Sequence, residues 1–156
     1  MYKKILVPLD GSELAECVLP HVELVVQGCG VKNAVFLRVV EPFHMPGGVD
    51  DGAGFSEEDI RRINSENRTS AESYLDQVTN RIRHDGVTIQ SGVLTGRAAE
   101  TIAEYAARHE VDLIMIATHG RSGVSRWVWG SVADRVLRSA CVPVLMVRAP
   151  GCVPGI

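Results

Sequence analysis

Hydrophobic residues in this chain come in short, nearly unbroken runs separated by longer amphipathic stretches. Five runs, KILVPL, AVFLRVV, VTIQSGVL, DLIMIA and PVLMVR, have the length of strands and are rich in Val, Ile or Leu. Polar or glycine residues lie close behind each of them. The segments ILVPL, FLRVV and LIMIA are close to continuous rather than alternating. Strands buried on both faces of a parallel sheet read this way.

Between the runs the apolar spacing becomes helical. From Ser12 to Val26, the residues Leu14, Val18, Val22 and Val25 share one face, with Pro20 a candidate kink. From Glu57 to Arg83 the positions are Ile60, Ile63, Asn67, Ala71, Tyr74, Leu75, Val78 and Ile82. Ala98, Ile102, Ala103 and Ala106 repeat the pattern between Arg97 and His109. A last helix opens at Ser131 and is expected to turn Val132, Ala133, Val136 and Leu137 inward. Alternating strand and helix predicts a three-layer α/β/α sandwich with right-handed crossovers. No internal repeat is found.

Open parallel sheets bind ligands outside the carboxyl ends of their strands, where the strand order reverses. In a five-stranded sheet of order 3-2-1-4-5 that point lies between the first and fourth strands. The loops leaving those two strands, DGSELAE and THGRSG, carry the most polar and glycine residues in the regular part of the chain. The second suits phosphate, because Gly120 and Gly123 permit close backbone approach to an anion. Gly130 and Ser131 stand at a helix N-terminus, where free N–H groups and the macrodipole attract negative charge. Ser131 can equally serve as a helix cap, with Asp134 completing a capping box. Asp10 closes the first strand. Its carboxylate can accept from an adenine amine or a ribose hydroxyl, hold water on a divalent ion, or cap the next helix together with Ser12.

Composition narrows the classes. A chain of 156 residues suits one domain and buries a core without staples. A net charge of −3 argues against a protein that coats nucleic acid. No run reaches the length of a membrane span, and MYKKILVPLDG does not read as a signal peptide, so the cytoplasm is the expected compartment. The four cysteines contain no C-x-x-C pair; Cys17 and Cys141 are expected in the core, and Cys152 as an exposed thiol. The segment 42–56 reads as a surface loop, with a lid over a ligand as the sharper alternative. His44 within it lacks a partner at metal-ligand spacing, and no metal site is expected.

These features together resemble the universal stress protein family from Met1 to about Arg148. The family signature G-x2-G-x9-G-[ST] maps onto Ala117, Gly120, Gly130 and Ser131, with Ala117 standing in place of the first glycine. KILVPLDGS and GSVADRVLRSACVPVLMVR are also similar to the family's pattern. The resemblance implies a Rossmann-like fold of the adenine nucleotide alpha hydrolase type, with one domain over residues 1–148 and a flexible tail at 149–156. It further implies a site for ATP, with magnesium. Pro8, Leu9 and Asp10 would line the adenine and ribose side, and Val39 would contact adenine through its backbone. Ala117, His119 and Gly120 would approach the ribose and phosphates, while Gly130, Ser131, Val132 and Ala133 would hold the phosphates. A homodimer through the last strand, Pro143 to Arg148, is implied as well.

Because Ala117 continues an apolar strand, ordinary backbone angles are expected there, with its methyl tolerated. His119 has no carboxylate beside it in the loop, so no catalytic residue is assigned and any ATP hydrolysis is expected to be slow. Arg121 and Arg126 can add charge to the loop, and Trp127 and Trp129 are expected to cover the core or a subunit surface. The leading expectation is an ATP-dependent switch or sensor in stress response. A slow ATPase and a protein-interaction module without nucleotide are the alternatives. A dinucleotide carrier is disfavoured, since no G-x-G-x-x-G follows the first strand.

Overall fold

The computed structural model describes residues 2–43, 56–82, 86–118 and 131–149, with Ser131 described through its backbone alone. The elements run β1 (Lys4–Pro8), a 3-10 turn (Ala15–Val18), α1 (Leu19–Cys29), β2 (Asn33–Val40), α2 (Glu57–Arg81) and β3 (Thr88–Thr95). They continue as α3 (Ala98–Arg108), β4 (Leu113–Thr118), α4 (Ser131–Ser139) and β5 (Val144–Arg148). The strands form one sheet in the order β3-β2-β1-β4-β5, and every neighbouring pair is parallel. This is the expected 3-2-1-4-5 sandwich.

Two apolar cores, one on each face of the sheet, make the three layers. Ile5, Val7, Phe36 and Met115 point to the face covered by α1 (Val22, Val26) and α2 (Ala71, Leu75, Val78). Leu6, Val35, Leu37, Ile114 and Ile116 point to the other, covered by α3 (Ala99, Ile102, Ala106) and α4 (Ala133, Val136). Successive residues of β1 and β4 therefore meet apolar partners on both sides, which explains their unbroken hydrophobic runs. β3 lies at the sheet edge, and in it only Val93 is buried. α2 starts at a capping box: Ser56 Oγ accepts from Asp59 N at 3.1 Å, and Asp59 Oδ2 accepts from Ser56 N at 3.0 Å.

Several expectations need correction. Pro20 does not kink a long helix. It sits in the first turn of α1, where its missing N–H has no intrahelical partner to lose, and the preceding turn is 3-10. Leu14 is consequently exposed, and the buried row is Val18, Val22 and Val26. In α3 the inward row uses Ala99 rather than Ala98. Ala133 and Val136 of α4 are buried, but Val132 and Leu137 are 37% and 45% exposed, because only a narrow stripe of this short helix meets the sheet. Cys141 is exposed just before β5, whereas Cys17 is partly buried against the first core and burial pushes its thiol up. Ala149, assigned to the tail, is buried, and its N–H donates to Thr118 O at 3.1 Å. His44, most of the 42–56 loop, and Cys152 lie outside the described residues.

Candidate functional site

The sheet sets the geometry at the place between β1 and β4 where the site is expected. β1 follows β2 through five registered pairs, Lys4↔Asn33 to Pro8↔Leu37, and Leu9 N donates to Leu37 O at 2.9 Å. Its ladder with β4 holds only two registered pairs, Ile5↔Leu113 and Leu6↔Ile114. No further pair joins the two strands toward their carboxyl ends. α1, which follows β1, covers one face of the sheet, and α4, which follows β4, covers the other. Neighbouring strands whose exits diverge leave a crevice, which is where such sheets take ligands.

At the β1 end, Pro8 and Leu9 are buried and Asp10 is exposed. Asp10 Oδ1 accepts from Ser12 N at 2.9 Å and from Ser12 Oγ at 2.6 Å, while Ser12 Oγ accepts from Ala15 N at 3.1 Å. Asp10 thus closes a tight turn onto Ser12, and only Ser12 reaches the 3-10 segment, taking the N–H of its first residue, while the N-cap position, Leu14, has no side-chain cap. Gly11 between them has φ +87°, the left-handed region that glycine enters without strain.

β2 brings Val39, half-buried against the second core, to the same edge of the sheet. Ala117 lies inside β4, paired with Val147, and its φ is not positive. A glycine's conformational freedom is therefore not required there. Thr118 ends β4 and is 4% exposed. His119, Gly120 and Gly130 lie outside the described residues, as do Arg121, Gly123, Arg126, Trp127 and Trp129. α4 opens with Ser131, exposed Val132 and buried Ala133, and Asp134 pairs with Arg138 at 3.0 Å. The fold brings Pro8, Leu9, Asp10, Val39 and Ala117 to one edge of the sheet. Among the described residues no group of three or more His, Cys, Asp or Glu is arranged to hold a metal, and no helix is long and apolar enough to cross a membrane.

One cluster was missed. Arg38 of β2 places its guanidinium carbon 5.3 Å from the Tyr74 ring centroid and directly against Gly11. The Tyr74 hydroxyl is buried beside the Glu16 carboxylate. Burial pushes it well above the usual tyrosine range; the carboxylates of Glu16 and Asp10 push the same way, and Arg38 opposes them. Glu16 is held in turn by Arg81 at 2.8 Å. An available signal was the single charge inside the apolar run AVFLRVV, because a cation in a strand covered on both faces needs a special partner.

A model of the Universal stress protein family matches residues 1–148. The chain is 33% identical over 151 residues to universal stress protein MJ0531 of Methanocaldococcus jannaschii, covering 96% of this chain and 84% of that protein. Among solved structures it is similar to hypothetical protein MJ0577 of the same organism, with TM-score 0.78 and 25% identity, covering 97% of this chain and 99% of the other. It shares its fold with an Arabidopsis thaliana universal stress protein family protein solved with AMP bound, at TM-score 0.65 and 17% identity, covering 96% and 93% of the two chains. With the family model matched over nearly its whole length, this chain belongs to the universal stress protein family.

Proposed function

We propose that this chain binds ATP, with magnesium, in the crevice between the carboxyl ends of β1 and β4, and acts in the cytoplasm as a nucleotide-dependent switch or sensor. The observation that carries the reading is the end of the β1–β4 ladder at Leu6↔Ile114, beside a turn that presents Asp10. The AMP-bound fold relative supports an adenine nucleotide as the occupant. Pro8, Leu9 and Val39 form the adenine side, and Asp10 accepts from a ribose hydroxyl or the adenine amine. Ala117, His119 and Gly120 approach the ribose and phosphates. The N–H groups of Gly130, Ser131, Val132 and Ala133, at the start of α4, take the phosphates. Magnesium would arrive with the phosphates and keep much of its water, since it is ordinarily held by few protein carboxylates. Hydrolysis is at most slow.

The single domain over 1–148 belongs to the same reading, as does a homodimer through Pro143–Arg148. β5 is an edge strand with Leu145 39% exposed, and an apolar edge favours a partner.

Calorimetric titration with ATP and magnesium, against AMP, tests the site. Saturable binding that weakens markedly for AMP supports phosphate contacts at the start of α4. No heat from either, on protein free of carried-over nucleotide, would replace this reading with an interaction module.

A further inference from the structure

We propose that Arg38 is a positioning residue of this site: close to both the Tyr74 ring and Gly11, its guanidinium holds the Asp10–Gly11–Ser12 turn in the form that presents the Asp10 carboxylate. The proposal rests on the nucleotide reading and adds a residue to it.

Arg38 follows Phe36 and Leu37, both fully buried, near the carboxyl end of β2. Its head therefore has to leave the sheet between apolar neighbours, and it meets two partners there. One is the Tyr74 ring, 5.3 Å from the guanidinium carbon to the centroid. The other is Gly11, where an added Cβ would stand 2.7 Å from Nη1, 2.9 Å from Cζ and 3.0 Å from Nη2. Three nearly equal distances describe a guanidinium lying broadside to the glycine. A planar head can fill such a slot, whereas a lysine ammonium is round and strongly hydrated.

The slot is anchored from behind. Tyr74 belongs to α2, next to Leu75, which is 1% exposed. Glu16, which faces the tyrosine hydroxyl, is pinned by Arg81. On the other side of Arg38 the turn moves as a unit, because Asp10 Oδ1 takes both the N–H and the hydroxyl of Ser12. Support given to Gly11 is thus passed to Asp10. The path runs from α2 through Tyr74 and Arg38 to the turn, and the left-handed φ with the absent Cβ at Gly11 completes it.

The test pairs amide hydrogen exchange of the ligand-free protein with calorimetric titration of ATP and magnesium on the same samples. Arg38→Ala is expected to speed exchange of the Ser12 amide about tenfold, leave the Ile114 amide at its wild-type rate, and weaken ATP about tenfold. Arg38→Lys should behave like the alanine variant, because it restores the charge and not the plane. Asp10→Ala added to Arg38→Ala should bring little further loss of ATP affinity. If alanine opens the core and speeds Ile114 as well, Arg38→Met keeps the aliphatic stem and carries the same expectations. Unchanged Ser12 exchange would overturn the proposal, and so would fully additive losses at Asp10 and Arg38. Wild-type protein that binds no ATP would sink the nucleotide site and Arg38's role in it together. Wild-type binding with unaltered Arg38 variants would sink only the positioning role.

Discussion

Replacing Gly11 with alanine measures how hard Arg38 presses on the β1 exit. An alanine at φ +87° carries a left-handed strain of about 1–2 kcal/mol. The new methyl, 2.7 Å from Nη1, also drives the guanidinium off Tyr74 and forfeits a cation–π contact of about 1 kcal/mol. Together the loss is roughly 2–3 kcal/mol. Gly30 is the control. Its φ is +66°, but nothing lies within 4 Å of an added Cβ, so alanine there meets backbone strain alone. That should cost about 1 kcal/mol or slightly more. Gly28, inside α1 with open space around it, should gain roughly 0.5–1 kcal/mol from alanine. In a chain of this size 1 kcal/mol moves Tm by about 2–4 °C. Scanning calorimetry should therefore separate the three: Gly28→Ala up by about 2 °C, Gly30→Ala down by about 3–4 °C, and Gly11→Ala down by about 6–8 °C. Arg38→Ala combined with Gly11→Ala should lose less than the sum of the two, since the clash needs both partners. Equal losses at Gly11 and Gly30 would refute the Arg38 contact.

Other outcomes are expected elsewhere in the molecule. Asp112 Oδ2 accepts from Lys4 N at 2.8 Å and Lys3 N at 2.7 Å, and these bonds hold its carboxyl below the usual range. A depressed folded-state value adds stability above the unfolded pKa, near 4, that is lost as pH falls through the folded one. Asp112→Ala should therefore cost about 1–2 kcal/mol at pH 7, and the gap in Tm from wild type should close as the pH drops below about 4. Val136→Ala, at a site with no exposure, should cost roughly 2 kcal/mol, while Leu137→Ala, 45% exposed, should stay within about 0.5 kcal/mol in urea titrations. Leu145→Asp should halve the mass seen by light scattering if β5 joins two subunits. A wild-type monomer at every concentration would end the dimer proposal.

How much was legible depended on whether the governing interaction is local. Side-chain period is a property of a few consecutive residues, so ILVPL, FLRVV and LIMIA announced strands covered on both faces before any fold was known. The glycine and serine pattern from Gly120 to Ser131 and the Asp10–Ser12 sequence likewise marked the two loops that leave the central strands. Ala117 could be read as an ordinary strand position because it continues an apolar run, and it does lie inside β4. Periodicity, however, reports a stripe without reporting its width. Leu137 and Val132 follow the helical rhythm of α4, yet only Ala133 and Val136 find cover, because the neighbours that bury a residue come from elsewhere in the chain. Cys141 was misread for the same reason.

The sequence by itself determined which segments become strands and helices and where the loops that leave the central strands begin, through local spacing and the conformational demands of glycine, proline and capping residues. Only the tertiary structure decided that the β1–β4 ladder ends at Leu6↔Ile114, and that Arg38 of β2 lies close to both Gly11 and the Tyr74 ring. Those contacts depend on strand register and on crossovers that bring distant segments together, and no local pattern encodes either.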